Sequence, residues 1–225
     1  MPYRHRFDGI VFDLDGTLIE TAPDLAAALN HVMARAGLPA VPLADVRHMV
    51  GDGARMLIER GFAANDQPLA AAELDRWFGV FLDYYGEHIA DESHAFDGVL
   101  AVLDELQAAG LTLGVCTNKP EAMSRRLFEA LGLADRFSTL LGGDSLPMRK
   151  PDPGHLLGTL ERMGVAPGRA AMIGDSANDR DAARNAGVPV VLVTFGYTTI
   201  PALQLEADAH IDRFAQLPAA LAALA

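Results

Sequence analysis

The amino-acid sequence predicts an α/β protein with a doubly wound, Rossmann-like parallel sheet and a small helical domain inserted into it. Two observations predict this class. After about residue 95, short apolar runs typical of buried strands alternate with segments whose apolar residues recur at helical spacing. Residues 19–95 break that alternation, because they show helical patterns and no convincing strand. Repeated strand–helix alternation is typical of a parallel sheet that carries helices on both faces.

The elements of the sheet can be assigned in chain order. The first strand is the mostly apolar run that begins at Phe7 and stops at Asp13. Gly110 suits the end of one later helix and Pro120 the first turn of the next. The further strands are predicted at residues 111–116, 137–141, 170–173, 188–193 and, more weakly, 209–211, with helices at 99–109, at 121–131 and after Asp152, a plausible N-cap. Ligands of such sheets bind at the carboxyl ends of the strands.

The inserted region is predicted to contain three helices, at residues 22–36, 43–61 and 70–88. Glycine and proline near Gly37 and Pro68 mark its internal turns. The sequence therefore divides into a core domain of residues 1–18 and 96–225 and an inserted helical domain of residues 19–95. We expect the hinges near residues 18–21 and 90–98.

Composition and charge exclude several classes of function. The chain has 225 residues, half of them hydrophobic, which suffices for a substantial core. Its net charge of −12 disfavours nonspecific binding to nucleic acid. The single Cys116 excludes an intrachain disulfide, and neither a signal peptide nor a stretch of membrane-spanning length is evident. We expect a cytoplasmic protein, monomeric or homodimeric, that binds a small molecule and neither nucleic acid nor membrane.

Two aspartates after the first strand form the most informative local pattern. Asp13 and Asp15 lie two residues apart, so their side chains share a face if the strand persists, and Gly16 then allows a sharp turn. Carboxylates at the end of a buried strand are typical of a metal site, a carboxylate nucleophile or an acid–base pair. A calcium-binding EF-hand also begins Asp-x-Asp, but this chain has Leu18 and Asp24 where the loop needs Gly and Glu.

The use of lysine is unusually sparse. The 18 basic residues comprise 16 arginines and only two lysines, Lys119 and Lys150. A chain that fills ordinary solvated positions with arginine is expected to keep lysine where a compact ammonium is needed. Both lysines follow predicted strands, which favours a functional role for Lys150 and leaves that of Lys119 open.

Four short motifs, each at the end of a predicted strand, resemble the motifs of the haloacid dehalogenase superfamily. They are residues 13–17 (Asp-Leu-Asp-Gly-Thr), 117–118 (Thr-Asn), Lys150 and 174–179 (Gly-Asp-Ser-Ala-Asn-Asp). The inserted helices resemble the small helical cap domain of that superfamily. Within it, residues 21–25 and 50–54 are most similar to phosphoglycolate phosphatases.

The resemblance implies a Mg²⁺-dependent phosphatase that works through a phosphoaspartate. Asp13 would be the nucleophile, Asp15 would protonate the leaving group and then activate water, and Lys150 would supply positive charge. The implied metal-binding residues are Asp13, Asp15 through its backbone carbonyl, Asp175 and, as a buttress from the first helical turn, Asp179. Asp15 also favours phosphoryl transfer over dehalogenation, which does not require a second aspartate.

The resemblance further implies how the substrate is bound. Thr117 and the backbone at Asn118 would hydrogen-bond the phosphoryl oxygens, and Thr17 belongs to the same set. Arg55 follows a turn that faces the core site in this superfamily, so it is a candidate for a substrate carboxylate, with a solvated helix-face arginine as the alternative. The favoured substrate is 2-phosphoglycolate, hydrolysed to glycolate and phosphate. N-acetylmuramate 6-phosphate, another sugar phosphate and pyrophosphate stay open.

Two other classes of protein share parts of this pattern. Residues 143–146 (Gly-Asp-Ser-Leu) spell a serine-esterase signature, but it lies mid-chain, and the tail offers only Asp208 and His210 as partners. A signalling receiver domain also combines clustered acids, a threonine, a lysine and a phosphoaspartate. A receiver is shorter and has no inserted helices, so both classes are disfavoured.

Overall fold

A computed structural model describes residues 2–224 and shows a six-stranded parallel sheet in the order β5-β4-β1-β6-β7-β8, as the sequence predicts. The strands are β1 (Gly9–Phe12), β2 (Ile19–Glu20), β3 (His94–Ala95), β4 (Thr112–Cys116), β5 (Thr139–Leu141), β6 (Ala170–Gly174), β7 (Val190–Val193) and β8 (Ala209–Ile211). The helices are α1 (Ala22–Arg35), α2 (Leu43–Arg47), α3 (Ala54–Ala63), α4 (Ala71–Glu87), α5 (Val99–Ala108), α6 (Glu121–Ala130), α7 (Pro153–Met163), α8 (Ala177–Ala186) and α9 (Leu217–Ala223).

Strand β1 lies at the centre of the sheet and fixes the position of the residues that follow it. Gly9 is in register with Thr112 of β4 and Ala170 of β6. Successive residues of β1 point to opposite faces and are buried on both. Phe12 belongs to the apolar cluster that includes α5 and α9, whereas Val11 belongs to the cluster that includes α7 and α8. Helices therefore cover both faces of the sheet, which explains why its strands are continuous apolar runs.

Local sequence determines where the helices near the sheet begin and where the chain turns. Asp152 caps α7, since its side chain accepts a hydrogen bond from the backbone N–H of Gly154 at 2.8 Å, as predicted. Gly16 turns the chain after β1 with a φ of +81°. A Cβ atom at Gly16 would lie 2.5 Å from Asp175 Oδ2, so only glycine combines this backbone conformation with this close approach.

Helices α1 to α4 form the inserted segment, and the structure corrects its predicted second helix. The sequence predicts one helix over residues 43–61, whereas the structure has α2 and α3 with a break at residues 48–53. Gly51 and Gly53 adopt φ values of +119° and +88°, which a right-handed helix does not allow. Apolar residues recur at helical spacing on both sides of residues 48–53, so the sequence pattern did not reveal the break.

The ends of the inserted segment are joined by a small antiparallel ribbon, which the sequence did not predict. Strands β2 and β3 pair Ile19 with Ala95 and Glu20 with His94. Each strand has two residues, too few to show the alternation by which a strand is recognised. The buried Asp24 carboxylate strengthens this junction, because it accepts hydrogen bonds from the N–H and hydroxyl of Ser93 at 2.8 and 2.6 Å.

The remaining differences are small. Strand β5 begins at Thr139 instead of residue 137, and the other predicted elements of the sheet are present with ends shifted by one or two residues. Within residues 2–224, none of the helices has both the length and the apolar character that a membrane span requires.

Candidate active site

The predicted motifs converge at the carboxyl ends of three neighbouring strands. Asp13 follows β1, Thr117 follows β4 and Asp175 follows β6. Lys150 approaches from the loop before α7, and Asp179 from the first turn of α8. We call Asp13, Lys150, Asp175 and Asp179 the floor of the site; all four are buried.

Lys150 joins two of the floor carboxylates. Its Nζ lies 2.8 Å from Asp13 Oδ1 and 2.6 Å from Asp179 Oδ1. Burial by itself disfavours the ammonium, but the carboxylates of Asp13 and Asp179 outweigh it and hold the pKa of Lys150 above its ordinary range. The structure therefore places a fixed positive charge directly beside Asp13.

The second oxygen of Asp179 organises the start of α8. Asp179 Oδ2 accepts hydrogen bonds from the backbone N–H of Asp175 at 3.1 Å and of Ser176 at 3.0 Å, and from the Ser176 hydroxyl at 2.7 Å. This capping box fixes the helix N-terminus and the position of Asp175 together. Gly174 makes the approach possible, because a Cβ there would overlap the Asp179 carboxylate.

The floor fits a divalent cation. Asp13, Asp175 and Asp179 each offer one carboxylate oxygen, and these oxygens all lie within 4.8 Å of one another. Burial, together with the neighbouring carboxylates, raises the pKa of Asp13 to about 6 and that of Asp175 well above its ordinary value, although Lys150 acts in the opposite direction. Such crowding of buried carboxylates calls for a compensating cation, and an all-oxygen donor set suits a hard divalent ion.

Asp15 lies apart from this cluster and has different partners. Its Oδ1 accepts a hydrogen bond from the Thr21 hydroxyl at 2.7 Å and lies 3.1 Å from Lys119 Nζ. The side chain of Lys119 is 3% exposed and its Nζ also donates to Tyr85 Oη at 2.6 Å. The two predicted acids thus face different surroundings, with Asp13 on the floor and Asp15 toward the inserted helices.

The predicted phosphate-binding residues differ in what they contact. Thr117 lines the cavity beside Asp13. The Asn118 amide donates to the backbone oxygens of Lys150 and Gly51, both at 3.1 Å, so it bridges the core and the inserted segment. Thr17 is fully buried and its hydroxyl donates to Asp175 Oδ1 at 3.3 Å, so its visible contact orients a carboxylate of the floor.

The structure does not bring Arg55 to the site. Its Nη1 lies 2.6 Å from Asp75 Oδ1 in a pair that is largely exposed, and its guanidinium stacks 4.3 Å from the centre of the Phe78 ring. Ala54 and Leu57, three positions apart on α3, line the cavity, whereas Arg55 lies on another face of the helix. These contacts match the alternative of a solvated helix-face arginine.

A cavity of about 30 Å³ separates the sheet from the inserted helices. Asp13, Asp15 and Thr117 line one side, and apolar side chains from the inserted segment cover the other: Leu25, Val50, Leu57, Phe81 and Leu82. Among the described residues that line it, Lys119 is the one cation. Lys119 and Tyr85, which we call the wall of the site, were not predicted as functional. The sequence left the role of Lys119 open, with the scarcity of lysine and a place after a predicted strand as its signals, whereas Tyr85 had none.

The loop at residues 50–53 is attached to the core by two asparagines. Asn118 donates to the backbone oxygen of Gly51, and Asn178 donates to Asp52 Oδ1 at 2.7 Å. Asp52 also pairs with Arg60 of the inserted segment. We call these contacts the latch, because they hold the inserted segment over the cavity.

The residues of the esterase alternative are not assembled. Ser145 contacts Glu121 and the backbone N–H of Gly142. His210 Nε2 lies 2.8 Å from the backbone oxygen of Ala202, and Asp208 accepts from the backbone N–H of Val190. No serine–histidine pair forms among these residues, which excludes the arrangement that the signature would need.

Comparison with known proteins agrees with this geometry. The family model of haloacid dehalogenase-like hydrolases matches residues 10–193. The chain belongs to this family. It is 50% identical over 211 residues to a phosphoglycolate phosphatase from Caulobacter vibrioides, covering 94% of this chain and 89% of that one. It is 47% identical over 211 residues to a phosphoglycolate phosphatase from Agrobacterium fabrum, covering 94% and 91% of the two chains.

A solved structure from Haemophilus somnus, described as a predicted phosphoglycolate phosphatase, superposes with a TM-score of 0.89 at 35% identity. The match covers 95% of this chain and 97% of that one. As a haloacid dehalogenase-like hydrolase with relatives of this kind, the chain is a phosphoric monoester hydrolase.

Proposed function

We propose that the chain hydrolyses 2-phosphoglycolate to glycolate and phosphate through a phosphoaspartate at Asp13. One observation carries the proposal: a buried carboxylate at the end of the central strand lies 2.8 Å from a buried lysine and opens into a cavity. A carboxylate in that position is an oxygen nucleophile with an adjacent positive charge that can neutralise a phosphoryl group. The names of the curated relatives support the substrate.

We propose Mg²⁺ as the cation of the floor, held by Asp13, Asp175 and the backbone carbonyl of Asp15, with Asp179 as a buttress. Asp179 already uses both oxygens, one for Lys150 and one for the start of α8, which suits an indirect role. When bound, Mg²⁺ supplies positive charge that offsets the charge of the phosphoryl oxygens and of the clustered carboxylates.

In the first step, an Asp13 carboxylate oxygen forms a bond to phosphorus while the bond from phosphorus to the ester oxygen breaks. Lys150 favours the ionised, nucleophilic form of Asp13 and neutralises charge on the phosphoryl oxygens. Thr117 and the backbone at Asn118 donate hydrogen bonds to these oxygens. Asp15 donates a proton to the departing ester oxygen, so that glycolate leaves as an alcohol.

In the second step, Asp15 works in the reverse direction. It accepts a proton from water while the water oxygen attacks phosphorus, which releases Asp13 and inorganic phosphate. The hydrogen bond from Thr21 fixes the Asp15 carboxylate in the position that both proton transfers require. Division of the hydrolysis through a covalent intermediate replaces one high barrier by two lower ones.

We propose that residues 19–95 act as a cap domain on a core of residues 1–18 and 96–225. Apolar side chains of α1, α3 and α4 cover the cavity above Asp13 and Asp15, and they would exclude bulk water from the intermediate. The latch and the ribbon of β2 and β3 are the connections through which such a cap would close.

A phosphate-release assay over a substrate panel tests the proposal. The panel contains 2-phosphoglycolate, N-acetylmuramate 6-phosphate, pyrophosphate and p-nitrophenyl phosphate, each with Mg²⁺ and with EDTA. We expect the highest kcat/KM for 2-phosphoglycolate, loss of activity with EDTA and recovery with added Mg²⁺. A higher kcat/KM for another member would overturn the substrate assignment, and release from none would overturn phosphatase activity.

A further inference from the structure

Lys119 is a buried cation that the catalytic steps above do not use. Its ammonium group has three N–H donors. Among residues 2–224 its hydrogen-bond partners are the Asp15 carboxylate, with Oδ1 at 3.1 Å, and Tyr85 Oη at 2.6 Å. The contact of Nζ with Asp15 Oδ2 is long, at 3.5 Å, so the N–H that makes this weak bond can turn to a further acceptor. Because Lys119 lines the cavity, that acceptor can belong to a bound molecule.

The surroundings of Lys119 favour a bound molecule that carries a negative charge. The inserted segment contributes mainly apolar side chains to the cavity, and Lys119 is the one cation among the described lining residues. An anionic group that enters beside this apolar surface loses its hydration and needs a charged partner. Lys150 lies on the floor with Asp13 and Asp179, where the phosphoryl group is expected.

The position of Lys119 relative to Asp15 indicates how far the anionic group of the bound molecule lies from its ester oxygen. Asp15 contacts the ester oxygen in the proposed first step, and Lys119 lies one hydrogen-bond length from Asp15. An anionic group bound to Lys119 would therefore lie near the ester oxygen. In 2-phosphoglycolate a single methylene separates the ester oxygen from the carboxyl carbon, which satisfies this condition.

We infer that Lys119 binds the substrate carboxylate and thereby selects phosphorylated 2-hydroxy acids over uncharged phosphate esters of similar size. The inference rests on the proposed function and names the residue behind its specificity. Tyr85 holds the ammonium from the inserted segment, so the carboxylate is recognised only when the segment covers the site. Arg55, for which the sequence left a carboxylate ligand and a solvated arginine as alternatives, is paired with Asp75.

The test compares two substrates that differ in the carboxylate, 2-phosphoglycolate and 2-hydroxyethyl phosphate. Lys119→Met keeps the length of the side chain and removes its charge. We expect kcat/KM for 2-phosphoglycolate to fall about 10- to 100-fold, the range of a lost charge-assisted hydrogen bond. For 2-hydroxyethyl phosphate we expect a smaller loss, which measures how far the removal of Lys119 disturbs Asp15. The readout is the ratio of the two substrates, because a general disturbance of Asp15 lowers both values equally.

Two further variants accompany this comparison. Arg184→Met removes one positive charge from an exposed pair with Glu206, so it controls for the change in net charge. Arg55→Ala tests the competing cation. A selective loss on 2-phosphoglycolate in Arg55→Ala, with none in Lys119→Met, would assign the carboxylate to Arg55 and overturn the inference.

Binding provides a readout that does not depend on turnover. In an Asp13→Asn background, calorimetry gives the Kd of 2-phosphoglycolate in the presence of Mg²⁺. Adding Lys119→Met should weaken it about 10- to 100-fold while thermal unfolding confirms a folded protein. An unchanged Kd in a folded double variant would overturn the inference.

The outcomes separate the inference from the proposed function. If the wild-type enzyme shows no preference for 2-phosphoglycolate over 2-hydroxyethyl phosphate, the proposed substrate is wrong whatever the variants do. If the wild-type enzyme has that preference and Lys119→Met loses both activities equally, the function stands and the inference is wrong.

Discussion

The floor and the wall of the site each contain a buried lysine, but they are built in different ways. On the floor, Lys150 contacts Asp13 and Asp179, which the sheet and its next helix supply. On the wall, Lys119 contacts Asp15 of the core and Tyr85 of the inserted segment. The floor is therefore built from the sheet and from the loop and helix that follow its strands, whereas the wall also needs the inserted segment.

This difference suggests a division of labour. Groups that act on phosphorus need fixed positions, and the ends of neighbouring parallel strands provide them. In the proposed function, the groups that recognise the rest of the substrate lie where the inserted helices cover the sheet, so we expect another insertion on the same floor to select another substrate. We accordingly expect damage to the floor to abolish chemistry and damage to the wall or latch to change specificity or KM.

The largest expected effect is on the floor. Asp13→Asn preserves the size of the side chain but removes the nucleophile, so kcat should fall by about 10³-fold or more on every substrate. Phosphate release measures the loss, and far-UV circular dichroism with thermal unfolding checks that the fold persists. Activity of the purified variant above a small fraction of the wild-type value would remove Asp13 from its proposed role.

A smaller effect is expected at the latch. Asp52→Ala removes the acceptor for Asn178 and the partner of Arg60, which should raise KM for 2-phosphoglycolate about 3- to 10-fold by weakening closure. Asp45→Ala, at an exposed position of α2, is the matched control. An unchanged KM in Asp52→Ala would show that the latch does not contribute to binding.

The charge of Asp52 also sets the pH range of the latch. Burial would raise the pKa of Asp52, but hydrogen bonds from Asn178 and Arg60 outweigh burial and lower it. A carboxylate with a lowered pKa contributes fully above its ordinary value of 3.8, and the contribution is lost as the pH falls through the lowered pKa. The ratio of KM between Asp52→Ala and the wild-type enzyme should therefore stay constant from about pH 5 to 8. A ratio that varied strongly within that range would contradict the assignment.

The junction of the inserted segment should affect stability more than chemistry. Asp24→Asn replaces one carboxylate oxygen with a donor that faces the N–H groups of Glu92 and Ser93. We expect the free energy of unfolding to fall by about 1–3 kcal/mol, since a buried donor loses its acceptor. Urea denaturation of both proteins measures the difference. A difference below about 0.5 kcal/mol would show that these hydrogen bonds do not stabilise the junction.

The smallest effect is expected outside both regions. Arg184 and Glu206 form an exposed ion pair at 2.7 Å. Arg184→Ala should change the free energy of unfolding by less than about 1 kcal/mol, because exposed pairs are weakened by solvent and salt. The same urea titration measures this free energy. A larger change would show that exposed charges contribute to the stability differences of the other variants.

The sequence predicted the floor better than the wall for a physical reason. Asp13, Lys150 and Asp175 each follow a strand or precede a helix, and parallel strands bring such positions together whatever the rest of the chain does. Lys119 also follows a strand, but its partner Tyr85 is 34 residues away on α4 of the inserted segment. Periodicity and short motifs carry no information about such a contact.

The features of the inserted segment that the sequence missed or left open have similar causes. The break between α2 and α3 follows from the backbone conformation of Gly51 and Gly53, which apolar spacing does not report. The direction of the Arg55 side chain depends on which face of α3 meets the cavity. Two positions along a helix point to nearly opposite faces, so Arg55 points away when Leu57 lines the cavity. The ribbon of β2 and β3 depends on pairing between distant residues.

The most direct test of the proposed chemistry is to trap the phosphoryl group. Asp15→Asn leaves Asp13 as the nucleophile but removes the group that activates water in the second step. After reaction with p-nitrophenyl phosphate, whose leaving group needs little protonation, rapid quenching and peptide mass spectrometry should show a phosphoryl group on Asp13. Steady turnover by Asp15→Asn with no phosphorylated Asp13, or a phosphoryl group on another residue, would contradict the phosphoaspartate route.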